Sequence, residues 1–202
     1  HSMLHSHLKV LHSQGLTDRD IFYGRGGTLL AHPILGITSI VNMSSPKRTK
    51  GIDIVLACKK WKATTVFLSP PSAINLADYI ATEPRSENHK MLPTVRRLYV
   101  GGESVAAKVA EIIEPHLSDD RPSDGGFHLV YGATEGFPLC YAPYSTITET
   151  EHHTSSGRGV CLGREAIDVK LRILSYDSSA ELNDLPIMKK SDLISQIPIG
   201  EI

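Results

Sequence analysis

The sequence has almost no excess of either charge. Its 21 Lys and Arg stand against 22 Asp and Glu, a net charge of −1 over 202 residues. A near-neutral chain has no electrostatic reason to seek nucleic acid or an anionic membrane. Cysteine is scarce: Cys58, Cys140 and Cys161 are widely spaced, and no CxxC pair suggests a zinc or redox centre. Three such residues are read as reduced, buried thiols of a cytoplasmic protein. No apolar run reaches the ~18 residues that a membrane span needs, so no transmembrane segment is expected. The first residues also lack a basic region followed by an apolar one. No GxGxxG follows an apolar strand, which discards a dehydrogenase-like dinucleotide site. Gly24-Arg25-Gly26-Gly27 lacks the spacing and the lysine of a phosphate loop and reads as a turn.

Histidine is plentiful, with ten. His1 and His5 have the i, i+4 spacing of a helical metal pair but no carboxylate between them. His152 and His153 are adjacent, so a regular element points them apart. They read as surface residues, as does the basic cluster Lys47, Arg48, Lys50, Lys59 and Lys60.

Along the chain, Leu4, Leu8 and Leu11 recur at helical spacing, with Gly15 placed to cap the helix. Residues 21–23 read as a strand and 29–41 as a buried helix broken near Pro33 and Gly36. Residues 52–60 form a helix, 64–69 a buried strand, and Pro70-Pro71 opens the next helix. Val95 to Val100 is a strand that leaves through Gly101-Gly102-Glu103, with Ser104 as the N-cap of a helix reaching His116. FHLVY, residues 127–131, is a further strand. Strands alternating with helices predict an α/β fold, layered, with a mainly parallel sheet. Ligands collect at the carboxyl ends of such strands. The exits Ser69-Pro70-Pro71, Gly101-Gly102-Glu103 and Tyr131-Gly132-Ala133-Thr134-Glu135 would line one crevice if their strands are neighbours. After residue 140 the texture changes. TITETEHHTSSGRG reads as a polar loop and residues 169–173 as a half-exposed strand. The expected organisation is an αβ sheet unit over 1–140 and a loop and β extension over 141–202.

The stretch VYGATEG, residues 130–136, carries the chemistry. A threonine hydroxyl can hydrogen-bond a phosphate oxygen, and a glutamate supplies the hard oxygen that Mg²⁺ prefers. Taken alone, the stretch is equally well a turn in which Thr134 and Glu135 cap the next element.

Together with YVGGES upstream and GRGVCLGRE downstream, this stretch resembles the AMP-forming acyl-adenylate synthetases. Within them, HPILGITSIV, FLSPPSAINLADY, LPTVRRLYVGGESV and YGATEGFP look most like the OleC-type β-lactone synthetases, usually labelled fatty-acid ligases. The resemblance covers most of residues 1–175. It implies that the chain is a central part of the large N-terminal AMP-binding domain, followed by a C-terminal β segment. It implies ATP-dependent, AMP-forming activation of a fatty or β-hydroxy carboxylic acid as acyl adenylate, with ATP, AMP and Mg²⁺ as cofactors. The carboxylic acid is then the partner, with coenzyme A as acyl acceptor in ordinary relatives. Tyr131 would stack on adenine, and Gly101, Gly102 and Glu103 would run along the adenine and acyl pocket. Gly132 and Ala133 would complete the strand tip, Thr134 would bond the α-phosphate, and Glu135 would bind Mg²⁺. Ile34, Leu35, Leu68, Ala73, Phe137 and Leu139 are candidates for the acyl pocket. The family's phosphate loop ending in Pro-Lys-Gly, its ribose-holding aspartate and its lysine-bearing lid are not among the 202 residues. The piece by itself is therefore expected to be inactive. Gly163-Arg164-Glu165 stands where relatives have Gly-Arg-Pro. A non-catalytic nucleotide-binding or interaction module derived from such an enzyme is the alternative.

Overall fold

The computed structural model describes Leu8, Leu11 and residues 15–24, 31–83, 90–133 and 136–171. Among these residues the chain runs β1 (Ile21–Gly24), β2 (Thr38–Val41), α1 (Gly51–Trp61), β3 (Thr65–Leu68), α2 (Pro70–Thr82), β4 (Arg97–Gly101) and α3 (Ala107–Ile113). It continues through β5 (Gly126–Ala133), β6 (Gly136–Pro143), α4 (Tyr144–Ser155) and β7 (Arg164–Glu165). The strands form one sheet of seven in the order β2-β1-β3-β4-β5-β6-β7. The first five are parallel, and β6 and β7 join antiparallel. This is the layered α/β fold with a mainly parallel sheet that the alternation of strands and helices predicts.

β1, β3, β4 and β5 are largely apolar and buried because both faces of the sheet are covered there, whereas β2, at the edge, is half exposed. Alternation divides them cleanly. Val66, Leu68, Leu98, Val100, Phe127 and Leu129 join α1, α2 and α3 in the main core, through Ile54, Val55, Leu76, Ala110 and Ile113. Phe22 faces the other way, into a smaller cluster with Leu11, Leu16, Ala31 and Ile37, against which Phe67 also packs. Leu8 and Leu11 are helical, as their spacing predicts.

Four local expectations are corrected. Within 29–41, a short 3-10 turn over His32–Leu35 replaces the helix, and strand β2 follows it. Gly36 stops the turn at φ +71°, and the largely β-branched run after it pairs with β1. Ser104 is not an N-cap: α3 starts at Ala107, after Ala106, with no capping side chain. The polar stretch TITETEHHTS is helix α4, not loop. Its Ile147 is buried in the main core, and the Thr148 and Thr150 hydroxyls donate to the carbonyls of Tyr144 (3.1 Å) and Thr146 (2.7 Å). Those bonds satisfy the hydroxyls within the helix. Residues 169–171 form no strand, and 172–173 lie outside the described residues. The outermost strand is instead β7, where Arg164 and Glu165 pair with Tyr141 and Cys140.

Candidate functional site

β3, β4 and β5 are parallel neighbours, so their carboxyl ends emerge side by side. At the end of β4 the two glycines have different physical reasons. A Cβ on Gly101 would lie 3.0 Å from the Val130 carbonyl oxygen and 3.1 Å from Phe67 Cζ, so the closeness of β5 and of that ring excludes a side chain. Gly102 sits at φ +112°, a conformation that L-residues rarely adopt. The chain turns there and presents Glu103 and Ser104 to solvent.

At the end of β5 the burial changes abruptly. Residues 126–130 are buried, whereas Tyr131 is 45% exposed. The pairing with β6 also shifts between Tyr131, opposite Cys140, and Ala133, opposite Gly136. Such a bulge breaks the ladder locally and re-aims a side chain. The element after β5 is the antiparallel strand β6, so the structural alternative for Thr134 and Glu135 narrows from capping a helix to serving the connection between two strands.

These two exits meet in a cleft of about 230 Å³. Gly102, Glu103 and Ser104 contribute from the turn after β4, and Leu129, Val130, Tyr131 and Gly132 from β5. Val160 and Leu162, in the segment between α4 and β7, complete the lining. Sequence reasoning missed these last two; their alternation across Cys161, within GVCLG, is the signal that could have found them. Gly163 follows at φ +78°, where a Cβ would overlap the Tyr141 carbonyl, so this segment lies tight against β6. Gly101 and Ala133 are at the site without lining the cleft. Thr134 and Glu135 lie outside the described residues.

The single crevice expected from three strand exits is in fact divided. Ser69 lines a second cleft, with residues from the ends of β1 and β2. Pro70 approaches to 4.0 Å of where a Gly102 Cβ would be, and Phe67, on β3, rests its ring tip over Gly101. The edge of Phe67 meets Phe137, with centroids 5.9 Å apart. Of the acyl-pocket candidates, Leu68 and Ala73 are core, Ile34 is 59% exposed, and none of the six lines the first cleft.

On the sheet face away from the main core, Tyr99 stacks at 5.4 Å on His128, its partner across β4 and β5, and lies near Tyr141. Burial pushes His128 below its ordinary value despite a 3.1 Å contact between Nε2 and the Asp124 carbonyl. Burial likewise raises the Tyr99 hydroxyl, which stays neutral. These groups are a packed support behind the strand tips. Among the described residues no cluster of three or more His, Cys, Asp or Glu could hold a metal ion.

The fold is shared with a solved CoA ligase, an amide bond synthetase and an adenylation domain. A long-chain-fatty-acid-CoA ligase (FadD1) from Archaeoglobus fulgidus matches 87% of this chain with a TM-score of 0.60 and 15% identity. The amide bond synthetase McbA from Marinactinospora thermotolerans matches 89%, with a TM-score of 0.62 and 18% identity. The adenylation domain of a keto acid-selecting NRPS module, solved with a bound keto acyl adenylate, matches 69%, with a TM-score of 0.53 and 13% identity. The chain spans about a third of each of these proteins: 34%, 33% and 28%. No protein-family model matches the sequence, and no curated protein does. At these identities the likeness is one of fold.

Proposed function

We propose that this chain is the central part of the AMP-binding domain of an AMP-forming acid ligase. The observation that carries the reading is the meeting of Gly102-Glu103 and Tyr131-Gly132, from neighbouring strand ends, in one cleft. An aromatic ring with Val160 and Leu162 suits a flat purine, and Glu103 and Ser104 can receive its polar edge. The neighbours named above are proteins that activate or ligate acids, and one holds an acyl adenylate.

In this reading the parent enzyme joins a fatty or β-hydroxy acid to ATP as acyl-AMP, releasing pyrophosphate. Tyr131 holds adenine, Gly101 and Gly102 let β4 come close to the ligand, and Gly132 and Ala133 carry the chain to the phosphate. Thr134 donates its hydroxyl hydrogen bond to the α-phosphate. Glu135 is the proposed Mg²⁺ ligand, and the bound ion would offset charge on the phosphoryl oxygens. A hydroxyl donor aimed at the same oxygens stabilises charge that builds as the carboxylate attacks. The acyl carbon is then taken either by the substrate's own β-hydroxyl, which loses its proton and expels AMP as a β-lactone closes, or by coenzyme A.

Titration calorimetry with AMP, with and without Mg²⁺, tests the assignment. Tyr131→Ala should weaken AMP binding under both conditions, and Glu135→Gln should remove only the metal-dependent part. Affinities equal to those of the unsubstituted chain in both variants would overturn it.

A further inference from the structure

The second cleft, about 290 Å³, lies at the carboxyl ends of β1, β2 and β3 and is not used by the adenylate reading. Its position in the topology is the first argument. The chain passes from β1 outward to β2, then returns to place β3 on the opposite side of β1. The β1–β2 connection packs on the face of Phe22, through Ala31 and Ile37, whereas α1, which leads from β2 to β3, packs on the face of Tyr23 and Val66. The two connections therefore leave on opposite faces, and a crevice opens between the ends of β1 and β3. In open sheets of order 2-1-3-4-5 that reversal point is where ligands bind.

The lining is the second argument. Tyr23, Phe67 and Leu68 supply an apolar wall, and Asn42, Thr49 and Ser72 supply much of the polar side. The polar groups are already ordered. Asn42 Nδ2 donates to Thr49 Oγ1 (3.1 Å), the Thr49 hydroxyl to the Ser45 carbonyl (3.1 Å), and the Ser72 hydroxyl to the Pro46 carbonyl (3.2 Å). With the Ser72 proton committed, Ser69 donates to Ser72 Oγ at 3.1 Å. The Ser69 and Ser72 oxygens thus keep lone pairs, not protons, for an occupant, while Thr49, 2% exposed, fixes Asn42 from behind, so the occupant's body should carry hydrogen-bond donors.

Charge is the third. The 3-10 turn Pro46–Arg48 walls the cleft through Pro46, and Thr49 follows it. Lys47, Arg48 and Lys50, sequence neighbours of the lining residues Pro46 and Thr49, are exposed without themselves lining the cleft, and none has an ion-pair partner among the described residues. Three unneutralised cations on a near-neutral chain form a local positive field beside an ordered polar cleft. We propose that this cleft binds a small phosphate ester with a hydroxylated body. The phosphate lies at the basic turn, and the hydroxyls lie against Asn42, Ser69 and Ser72.

The test uses the 202-residue chain with glucose 6-phosphate, and with glucose and inorganic phosphate as partial probes. Amide NMR shifts should move at Asn42, Thr49 and Ser72 and leave Gly102 and Tyr131 in place, and saturating AMP should not displace the probe. Glucose 6-phosphate should bind at least tenfold more tightly than either partial probe. The exposed double variant Lys47→Glu/Arg48→Glu should lose at least tenfold in that affinity while AMP affinity and circular dichroism stay unchanged. Shifts at Tyr131, displacement by AMP, an affinity no better than that of inorganic phosphate, or an unaffected double variant would each overturn the proposal. Loss of AMP binding in Tyr131→Ala leaves it untouched, so the two readings fail separately.

Discussion

Arg96 reaches Asp20 across 76 residues of sequence, its Nη2 lying 2.6 Å from Oδ1 of a carboxylate that is 2% exposed. The same carboxylate accepts the Thr64 hydroxyl (2.8 Å) and the Thr17 amide (2.9 Å), and Thr64 Oγ1 accepts the Ile21 amide (3.0 Å). One acid thereby ties the entry of β1 to the entries of β3 and β4. Burial alone would raise its pKa, but the Thr17, Thr64 and Arg96 contacts outweigh burial and hold it below the ordinary carboxylate value. Asp20→Asn should lower stability by about 2 kcal/mol, since a buried, multiply bonded acceptor is lost. Urea denaturation of the two proteins measures the difference.

Acid should destabilise the chain in two stages, both of the same sign. His128 has a depressed folded pKa, so the unfolded state binds its proton first and stability falls as pH drops below ~6.5. Asp20, also depressed, contributes stability that is full above ~3.9 and is lost as pH falls further, through its folded value. A pH series of thermal melts should show both. His128→Phe should remove the first stage and leave the second.

Gly102→Ala should cost about 1–2 kcal/mol, because φ +112° strains any residue with a Cβ even though the space is open. Gly101→Val should cost more, since its methyls would meet the Val130 carbonyl and the Phe67 ring. Thermal unfolding ranks the two.

Tyr131→Ala separates binding from folding. The ring is half exposed, so stability should change by less than about 0.5 kcal/mol. If the ring stacks on a base, AMP affinity should fall by about 1–3 kcal/mol. Equilibrium unfolding and calorimetry on the same samples read both.

Cys58 is 1% exposed, and burial pushes its thiol up to about 12. Burial also raises Cys140, while Cys161 is 5% exposed. A thiol reagent at pH 8 should label all three at rates that follow unfolding, and fast labelling in native buffer would contradict the packing.

Much of this fold is legible in the sequence where local and tertiary demands agree. The strands at 65–68, 97–101 and 126–133 are apolar and bounded by Gly, Pro or Ser, and α1 and α2 keep helical periodicity, so these elements declare themselves. The glycine pair was readable as a strand exit because a sharp turn out of a buried strand needs residues without a side chain, and Tyr131 as the end of the next apolar run. What was not legible depended on partners. β6 reads poorly because Pro138 interrupts it and its pairing with β5 is set by tertiary contact. α4 hides its helical character in threonines whose hydroxyls bond back into the helix. Val160 and Leu162 alternate across Cys161 but over too few residues to declare an element, so the folded chain is what shows them lining the cleft with Tyr131.

Phe67 borders the second cleft, while its ring tip rests on the glycine that precedes the turn into the first. One side chain is therefore a common partition. Held against Gly101 at its tip and against Phe137 at its edge, the ring is a fixed wall, so each cleft can fill without changing the affinity of the other, and AMP and the phosphate ester should bind with no coupling free energy.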